Sequence, residues 1–354
     1  MIGVMSGTSL DGIDLAQLQF QVSDAGVWSF KILKSETIPY PLFWKEKLQA
    51  AIFYSQEQIV DFDNAYTKFL ANVISEFIKK NKIENLDGVC SHGHTIWHQP
   101  ENGLTLQIGN LPILAKLIDQ KVICDFRIQD VEMGGNGAPL VPIGDLLLFP
   151  EYDYCLNLGG FANVSFENFS SDENQNLKRI AFDVCPVNIV MNRYAELLGK
   201  PFDEDGKIAA SGNLNSALLD QLNNLNFYKK SAPKSLGLEW VQDTVFPLLE
   251  DSESSIKDIL HTFVEHVVIQ LSKQFPEGSS VLITGGGVYH RYLINRLKFH
   301  SKIKIFIPSS ELIEYKEALI FGLLGLLKLR GEINCLSSVT GAKKDHSSGK
   351  IIIP

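Results

Sequence analysis

Two hydrophobic stretches separated by a glycine-bearing turn open the chain. Residues 2–5 form a short apolar run that reads as a buried strand, and apolar and β-branched positions resume from Ile13 to Phe20 as a second. Between them lie Gly7, Thr8, Ser9, Leu10, Asp11 and Gly12, with Asp14 just beyond. This pattern predicts a β-hairpin. Glycine there lets backbone approach a ligand, and small hydroxyls beside it can bond phosphate oxygens. A similar pattern recurs at mid-chain: an apolar run over 154–158, Gly159 and Gly160, then an apolar run over 161–166 that includes Asn163. Two such hairpins, one opening each half, predict a duplicated domain whose halves face each other across a cleft. Further on, an apolar run over 281–284 enters Gly285, Gly286 and Gly287, and Leu293, Ile294 and Leu297 follow at helical spacing. A strand, a glycine turn and a helix bring backbone against a nucleotide.

The remaining pattern supplies the frame. Residues 28–38 read as a third strand and 55–80 as a helix, with Ile59, Phe62, Tyr66, Leu70 and Phe77 on one side. The apolar face of residues 256–275 predicts a core helix. Residues 318–329 are almost continuously apolar, which predicts a helix buried between lobes, with Glu314 and Glu317 at its N-terminus. A strand ending at Cys90 is expected to empty into a loop holding His92, His94 and His98. No thiolate or carboxylate sits there at metal-ligand spacing, so polar substrate or interdomain contacts are the favoured reading. Asp125 and Arg127 follow the short strand 122–124 and are either ligand contacts at a strand's carboxyl end or an ion pair. Residues 131–139, with three glycines and a proline, read as the hinge. Residues 170–178 read as an exposed loop. Asp183 follows the apolar residues 180–182 and is either a general base facing the cleft or the N-cap of a helix over 187–198.

Composition narrows the class. The chain has 354 residues, 45% hydrophobic and 21% charged, enough for two domains with real cores. A formal charge of −9 without a basic stripe argues against nonspecific nucleic-acid binding. Five scattered cysteines with no CxxC pair point to a reducing compartment and away from zinc. No leader-like segment or membrane-length apolar run is present, so the cytoplasm is the expected location. The first strand starts almost at Met1, which reads as a trimmed or misassigned N-terminus.

Several motifs together resemble the anhydro-N-acetylmuramic acid kinase family, within the superfamily of hexokinase, actin and the heat-shock chaperone ATPases. They are the stretch 5–14, His92-Gly93, Thr105 to Gly109, Asp125-Phe126-Arg127, Gly135 with residues 137–142, and Asn157 to Gly160 with Ala162-Asn163. Pro233-Lys234-Ser235, the triplet at Gly285, Glu317-Ala318 and Thr340-Gly341-Ala342 continue the match nearly end to end. The resemblance implies an α/β, two-lobed actin-like ATPase fold of duplicated ribonuclease H-like domains around a central cleft. The lobes are expected at 1–137, with 331–354 returning to it, and 138–330.

The implied reaction uses ATP and Mg²⁺ to open the 1,6-anhydro bridge of anhydro-N-acetylmuramic acid with water and phosphorylate O6, in peptidoglycan recycling. Its catalytic aspartate falls on Asp183. Gly7 to Asp14, Gly159, Gly160, Asn163 and Gly285 to Gly287 correspond to nucleotide contacts, and His92, Arg127 and Glu317 to sugar contacts. Related sugar kinases carry an aspartate where Met5 stands, which leaves Asp11 or Asp14 as the carboxylate near the metal. A homodimer is the family expectation. The family's Thr-Gly-Pro-Gly-Asn after the aspartate is replaced here by residues 184–188, Val-Cys-Pro-Val-Asn, and Leu236, Leu238, Glu314 and His94 also depart from the pattern. The alternatives are a kinase for another anhydro or amino sugar, or a weakly catalytic nucleotide-binding protein of the same fold.

Overall fold

The computed structural model describes residues 1–7, 10–168 and 178–354. Thr8, Ser9 and all but the last residue of the 170–178 insert lie outside the described residues. The first strands are β1 (Ile2–Ser6), β2 (Gly12–Val22), β3 (Trp28–Pro39), β4 (Val89–Gln99), β5 (Leu104–Ile108) and β6 (Val122–Cys124). Then come β7 (Tyr154–Leu158), β8 (Phe161–Asn168), β9 (Lys178–Pro186), β10 (Ser280–Thr284) and β11 (Lys304–Phe306). The short β12 (Lys350–Ile352) ends the chain. They form two compact units, Met1–Leu148 with Tyr315–Pro354, and Phe149–Glu314.

In the first unit the sheet runs β3-β2-β1-β4-β6-β12, and β5 pairs with β4. The β1–β2 and β2–β3 pairs are antiparallel, and β1–β4 and β4–β6 are parallel. In the second unit the order is β9-β8-β7-β10-β11, with the same directions in the same places. The hairpin echo in the sequence is therefore a repeat of a whole five-strand frame, a mixed α/β arrangement in each unit.

Strand alternation decides which layer each face meets. Ile2 and Val4, with Leu15 and Ile13 on β2, turn to one face and pack with Leu70, Ile74 and Phe77 of the helix Gln56–Lys80. That helix starts in a capping box made by Ser55 and Gln58, as S-x-x-Q predicts. On the opposite face Gly3 meets the helix Ser310–Arg330 so closely that a Cβ would lie 1.8 Å from the Ala318 carbonyl oxygen. Gly322 and Gly325 of the same helix press on Leu18 and Cys90 in the same way. In the second unit Leu156, Val164, Val281 and Ile283 pack with Phe263, Val267 and Leu271 of the helix Ile256–Ser272.

Some elements differ from expectation. The histidine stretch is strand rather than loop, because β4 continues to Gln99 and buries His92 and His94 with polar partners. The apolar helix begins at Ser310, so Glu314 and Glu317 lie inside it, and Glu311 occupies its first turn. The chain divides at 148/149 and within this helix at 314/315, whereas the resemblance implies breaks at 137/138 and 330/331. The glycine-rich 133–137 stretch belongs to the first unit and is clamped there. Gly137 N–H donates to Asp130 Oδ2 at 2.7 Å, and Asn136 N–H to the Thr340 carbonyl at 2.8 Å. Among the described residues no helix is long and apolar enough to cross a membrane.

Candidate active site

Parallel strands collect their carboxyl ends on one edge of a sheet, and the turns there carry ligand contacts in α/β folds. In the first unit that edge holds Ser6 at the end of β1 and Gly7 after it, Asp14 at the start of β2, Thr37 near the end of β3, and Asp125 and Arg127 after β6. Met5 and Asp14 are directly opposed in register, so Asp14 stands on the same face as Met5, one strand over. Thr37 Oγ1 donates to Asp14 Oδ1 at 2.6 Å. Leu10 and Ile13 join the hydrophobic core, which leaves only their backbone atoms for a ligand. Gly12 has a packing role, since a Cβ would meet the Ile38 carbonyl oxygen at 2.6 Å. Asp11 is exposed.

Arg127, His92 and Glu317 form one electrostatic group. Arg127 Nε–H donates to His92 Nε2 at 2.9 Å, and His92 Nδ1 lies 2.9 Å from the Gly93 carbonyl. Those partners require a neutral ring with its proton on Nδ1. Burial first, and then the Arg127 charge, hold the His92 pKa well below its usual value, which fits that tautomer. A second Arg127 N–H, on Nη1, donates to the Gly137 carbonyl at 2.8 Å. Glu317 is exposed to water, with protein packed around its carboxylate. That enclosure, and next the Asp14 charge, raise its pKa against the pull of Arg127. Asp125 turns away from this group, because its carboxylate pairs with Lys350 at 3.0 Å and leaves Arg127 to other partners.

Sequence reasoning missed the polar chain under the first hairpin. Ser6 Oγ lies 2.6 Å from the Tyr40 hydroxyl and 2.8 Å from His94 Nδ1, and the Tyr66 hydroxyl contacts both Ser6 and Tyr40. All four residues are buried. Burial lowers the His94 pKa to about 4, so the ring is neutral. The one available signal was a serine directly before the glycine turn.

In the second unit Gly159 and Gly160 form the β7–β8 turn, and their carbonyls accept the N–H groups of Val187, Asn188 and Ile189 that open the helix Asn188–Glu196. Gly285 and Gly287 pack on Leu158, whereas a Cβ on Gly160 or Gly286 would meet nothing nearer than 3.8 Å. These two glycines present open backbone at the same sheet edge. Immediately after the triplet, Val288, Tyr289, Arg291, Ile294 and Ile313 line a cavity of about 410 Å³.

Asp183 lies within β9, opposite Asn163 of β8, so it is no helix cap; Val187 holds that position. Its backbone N–H donates to the Lys234 carbonyl at 3.0 Å, and Oδ2 accepts the Leu236 N–H at 2.8 Å. Oδ1 accepts no hydrogen bond among the described residues. Burial raises the Asp183 pKa, against the Leu236 N–H. Val184, Cys185 and Val187, which depart from the family pattern, all enter the hydrophobic core.

The model of the family described as anhydro-N-acetylmuramic acid kinase matches residues 1–354. A curated anhydro-N-acetylmuramic acid kinase from Bacillus cereus (strain AH187) is 33% identical over 382 residues, covering 99% of this chain and 98% of the relative. One from Psychrobacter cryohalolentis is 30% identical over 398 residues, covering 99% and 93%. Among solved structures, an activator of the 2-hydroxyisocaproyl-CoA dehydratase from Clostridium difficile with bound ADPNP shares 14% identity at a TM-score of 0.44, covering 93% of this chain and 95% of that one.

Proposed function

The chain belongs to the anhydro-N-acetylmuramic acid kinase family, and from that premise we propose that Asp183 is the general base of a coupled hydrolysis and phosphorylation. It is a kinase, a phosphotransferase acting on an anhydro sugar. In the proposed reaction Asp183 takes a proton from water as the water oxygen bonds to the anomeric carbon of 1,6-anhydro-N-acetylmuramic acid. The bond from that carbon to the bridging oxygen breaks. The released O6 bonds to the γ-phosphorus of ATP, ADP leaves, and N-acetylmuramic acid 6-phosphate results. Phosphoryl transfer demands positioning and charge neutralisation above all.

The observation that carries this reading is the Asp183 carboxylate itself. It is half-buried near a strand's carboxyl end, with one oxygen fixed by Leu236 and a raised pKa. A carboxylate fixed by one oxygen and raised in basicity suits proton abstraction. Arg127, anchored through Nε and Nη1, is assigned to the lactyl carboxylate, with His92 and Glu317 beside it. In the second unit, open backbone at Gly160 and Gly286, with Asn163 and the turn at Gly285, is assigned to the phosphates and the neighbouring cavity to the adenine; in the first unit the Gly7 turn carries the nucleotide assignment. Asp11 and Asp14 offer only hard carboxylate oxygens, which fit Mg²⁺ bound through one or two carboxylates and substrate phosphates. When bound, that ion neutralises phosphate charge.

Asp183→Asn tests the assignment. It should keep ATP binding and lower kcat by about two to four orders of magnitude. Turnover within a few-fold of the unaltered enzyme, in a coupled ADP-release assay with the anhydro sugar, would remove Asp183 from the mechanism.

A further inference from the structure

A second cluster of ligating side chains lies in the first unit. Asp130 is fully buried at the helix Ile128–Glu132, and Cys335 and His346 bury beside it. Cys335 and His346 face each other in an antiparallel bridge and exchange backbone hydrogen bonds at 3.1 and 3.2 Å. That pairing sets their side chains on the same side of the two segments. Cys335 Sγ lies 3.0 Å from Asp130 Oδ1 and His346 Nε2 lies 3.6 Å from the same oxygen. One ligand atom from each residue falls within 4.8 Å of the others.

The histidine shows what is missing from a purely hydrogen-bonded reading. Its Nδ1 lies 3.1 Å from the Lys344 carbonyl, a contact only an N–H can make. In the neutral ring Nε2 then carries a lone pair. That lone pair is buried, has no hydrogen-bond partner among the described residues and points at a carboxylate oxygen. A nitrogen lone pair aimed at a carboxylate oxygen, even one that already accepts from Thr340 Oγ1 and Cys335 Sγ, calls for a cation between them, a proton or a metal ion. A separation of 3.6 Å is long for a hydrogen bond, and it is close to the spacing of two ligands on one ion with bonds of about 2.0–2.3 Å. Arg127, the nearby cation, commits its Nε–H to His92 and an Nη1–H to the Gly137 carbonyl.

We infer that Asp130, Cys335 and His346 bind a divalent transition metal ion of the zinc type. A thiolate, an imidazole nitrogen and a carboxylate are the ligand set for such an ion. Thr340 Oγ1 donates a hydrogen bond to Asp130 Oδ1 at 2.7 Å and so orients the carboxylate, and a water completes the four ligands. On binding, the Cys335 thiol loses its proton to solvent, and no electron moves. The charges of carboxylate, thiolate and dication cancel, which removes the buried negative charge that Asp130 otherwise carries. The ion would tie the 335–346 segment to the 133–137 turn, and so to the Gly137 carbonyl that anchors Arg127. No CxxC pair marks this site, because its ligands come from a bridge and a helix, with Cys335 lying 205 positions from Asp130 in sequence.

The test uses the full chain stripped with a chelator and titrated with Co²⁺, then with Zn²⁺ in competition. One equivalent of Co²⁺ should produce a thiolate-to-cobalt charge-transfer band and the ligand-field bands of a four-coordinate ion, both bleached by Zn²⁺. Cobalt bound at Asp11 or Asp14 gives no thiolate band. Cys335→Ser, close in size and still a donor to Asp130, should abolish the charge-transfer band. His346→Gln should weaken binding by at least the roughly 10- to 100-fold that even an outer-shell partner is worth. The inference is overturned if the unaltered protein takes up no stoichiometric Co²⁺ or Zn²⁺. It is equally overturned if the thiolate band survives in Cys335→Ser, or if a buried His346–Asp130 ion pair proves to be the only state. The unaltered protein alone decides the matter should a variant fail to fold.

Discussion

Replacing Gly3 with alanine adds one methyl group at the tightest contact in the first unit. The new Cβ would sit 1.8 Å from the Ala318 carbonyl oxygen and 2.7 Å from its carbon, against about 3.4 Å for ordinary contact. Backbone opposes backbone here, so no rotamer change relieves the clash, and the helix Ser310–Arg330 must retreat from β1 by about 1.6 Å. Overpacking of this kind costs about 3 kcal/mol, the upper part of its usual range. For a unit of about 190 residues that corresponds to a fall in thermal midpoint of about 6–12 °C. Glu317 precedes Ala318, so its carboxylate moves with the helix, and a displacement of about 1 Å can lower kcat/KM for the sugar about 10²-fold. Calorimetry and the coupled ADP-release assay read the two effects separately. Gly322→Ala is the internal comparison: its Cβ meets the flexible tip of Leu18 at 2.2 Å, so it should cost less. A Gly3→Ala protein that melts within 1 °C of its parent with unchanged kcat/KM would refute the packing argument, as would a larger loss in Gly322→Ala.

Further outcomes follow from buried polar groups. Because burial raises the Asp183 pKa, kcat/KM should fall as pH drops through a value above the ordinary carboxylate range, and the residual activity of Asp183→Asn should lack that limb. The sign reverses for stability: ionising a raised carboxyl costs the fold free energy as pH rises, so Asp183→Asn should melt higher than its parent near neutrality, with the gap closing toward acid. Tyr66→Phe removes the hydroxyl that contacts Ser6 and Tyr40, at a cost of about 1–3 kcal/mol in urea unfolding. It should also raise KM for ATP more than it lowers kcat, since Ser6 leads directly into the Gly7 turn; an unchanged KM would separate that network from the hairpin.

Local patterns carried much of the architecture. Both hairpins, the capped helix Gln56–Lys80 and the helix Ile256–Ser272 follow from periodicities and turn residues that act within a few positions. Asp183 stands out because an apolar strand leads into it, although only the register with Asn163 distinguishes a strand residue from a helix cap. What stayed illegible depends on partners far along the chain. His92 and His94 look like loop residues until Arg127 and Ser6 satisfy them inside β4. The glycine-rich stretch 133–137 looks like a hinge until Asp130 takes the N–H groups of Gly135 and Gly137 and the Thr340 carbonyl takes that of Asn136. The losses of glycine at Cys185 and Val187 look damaging until both side chains are seen to fill the core.

Asp183 is held twice by the 234–236 segment, once through its own N–H and once through its carboxylate. A hydrogen bond to an ionised acceptor is roughly twice as strong as one to a neutral acceptor. Each proton that arrives on this carboxylate therefore slackens its grip on Leu236, and each proton that departs tightens it again. Lys234, seated over the Phe227 ring, rides on the same short stretch of chain. Acid–base state and loop tension thus rise and fall together, like a latch whose spring is one electric charge.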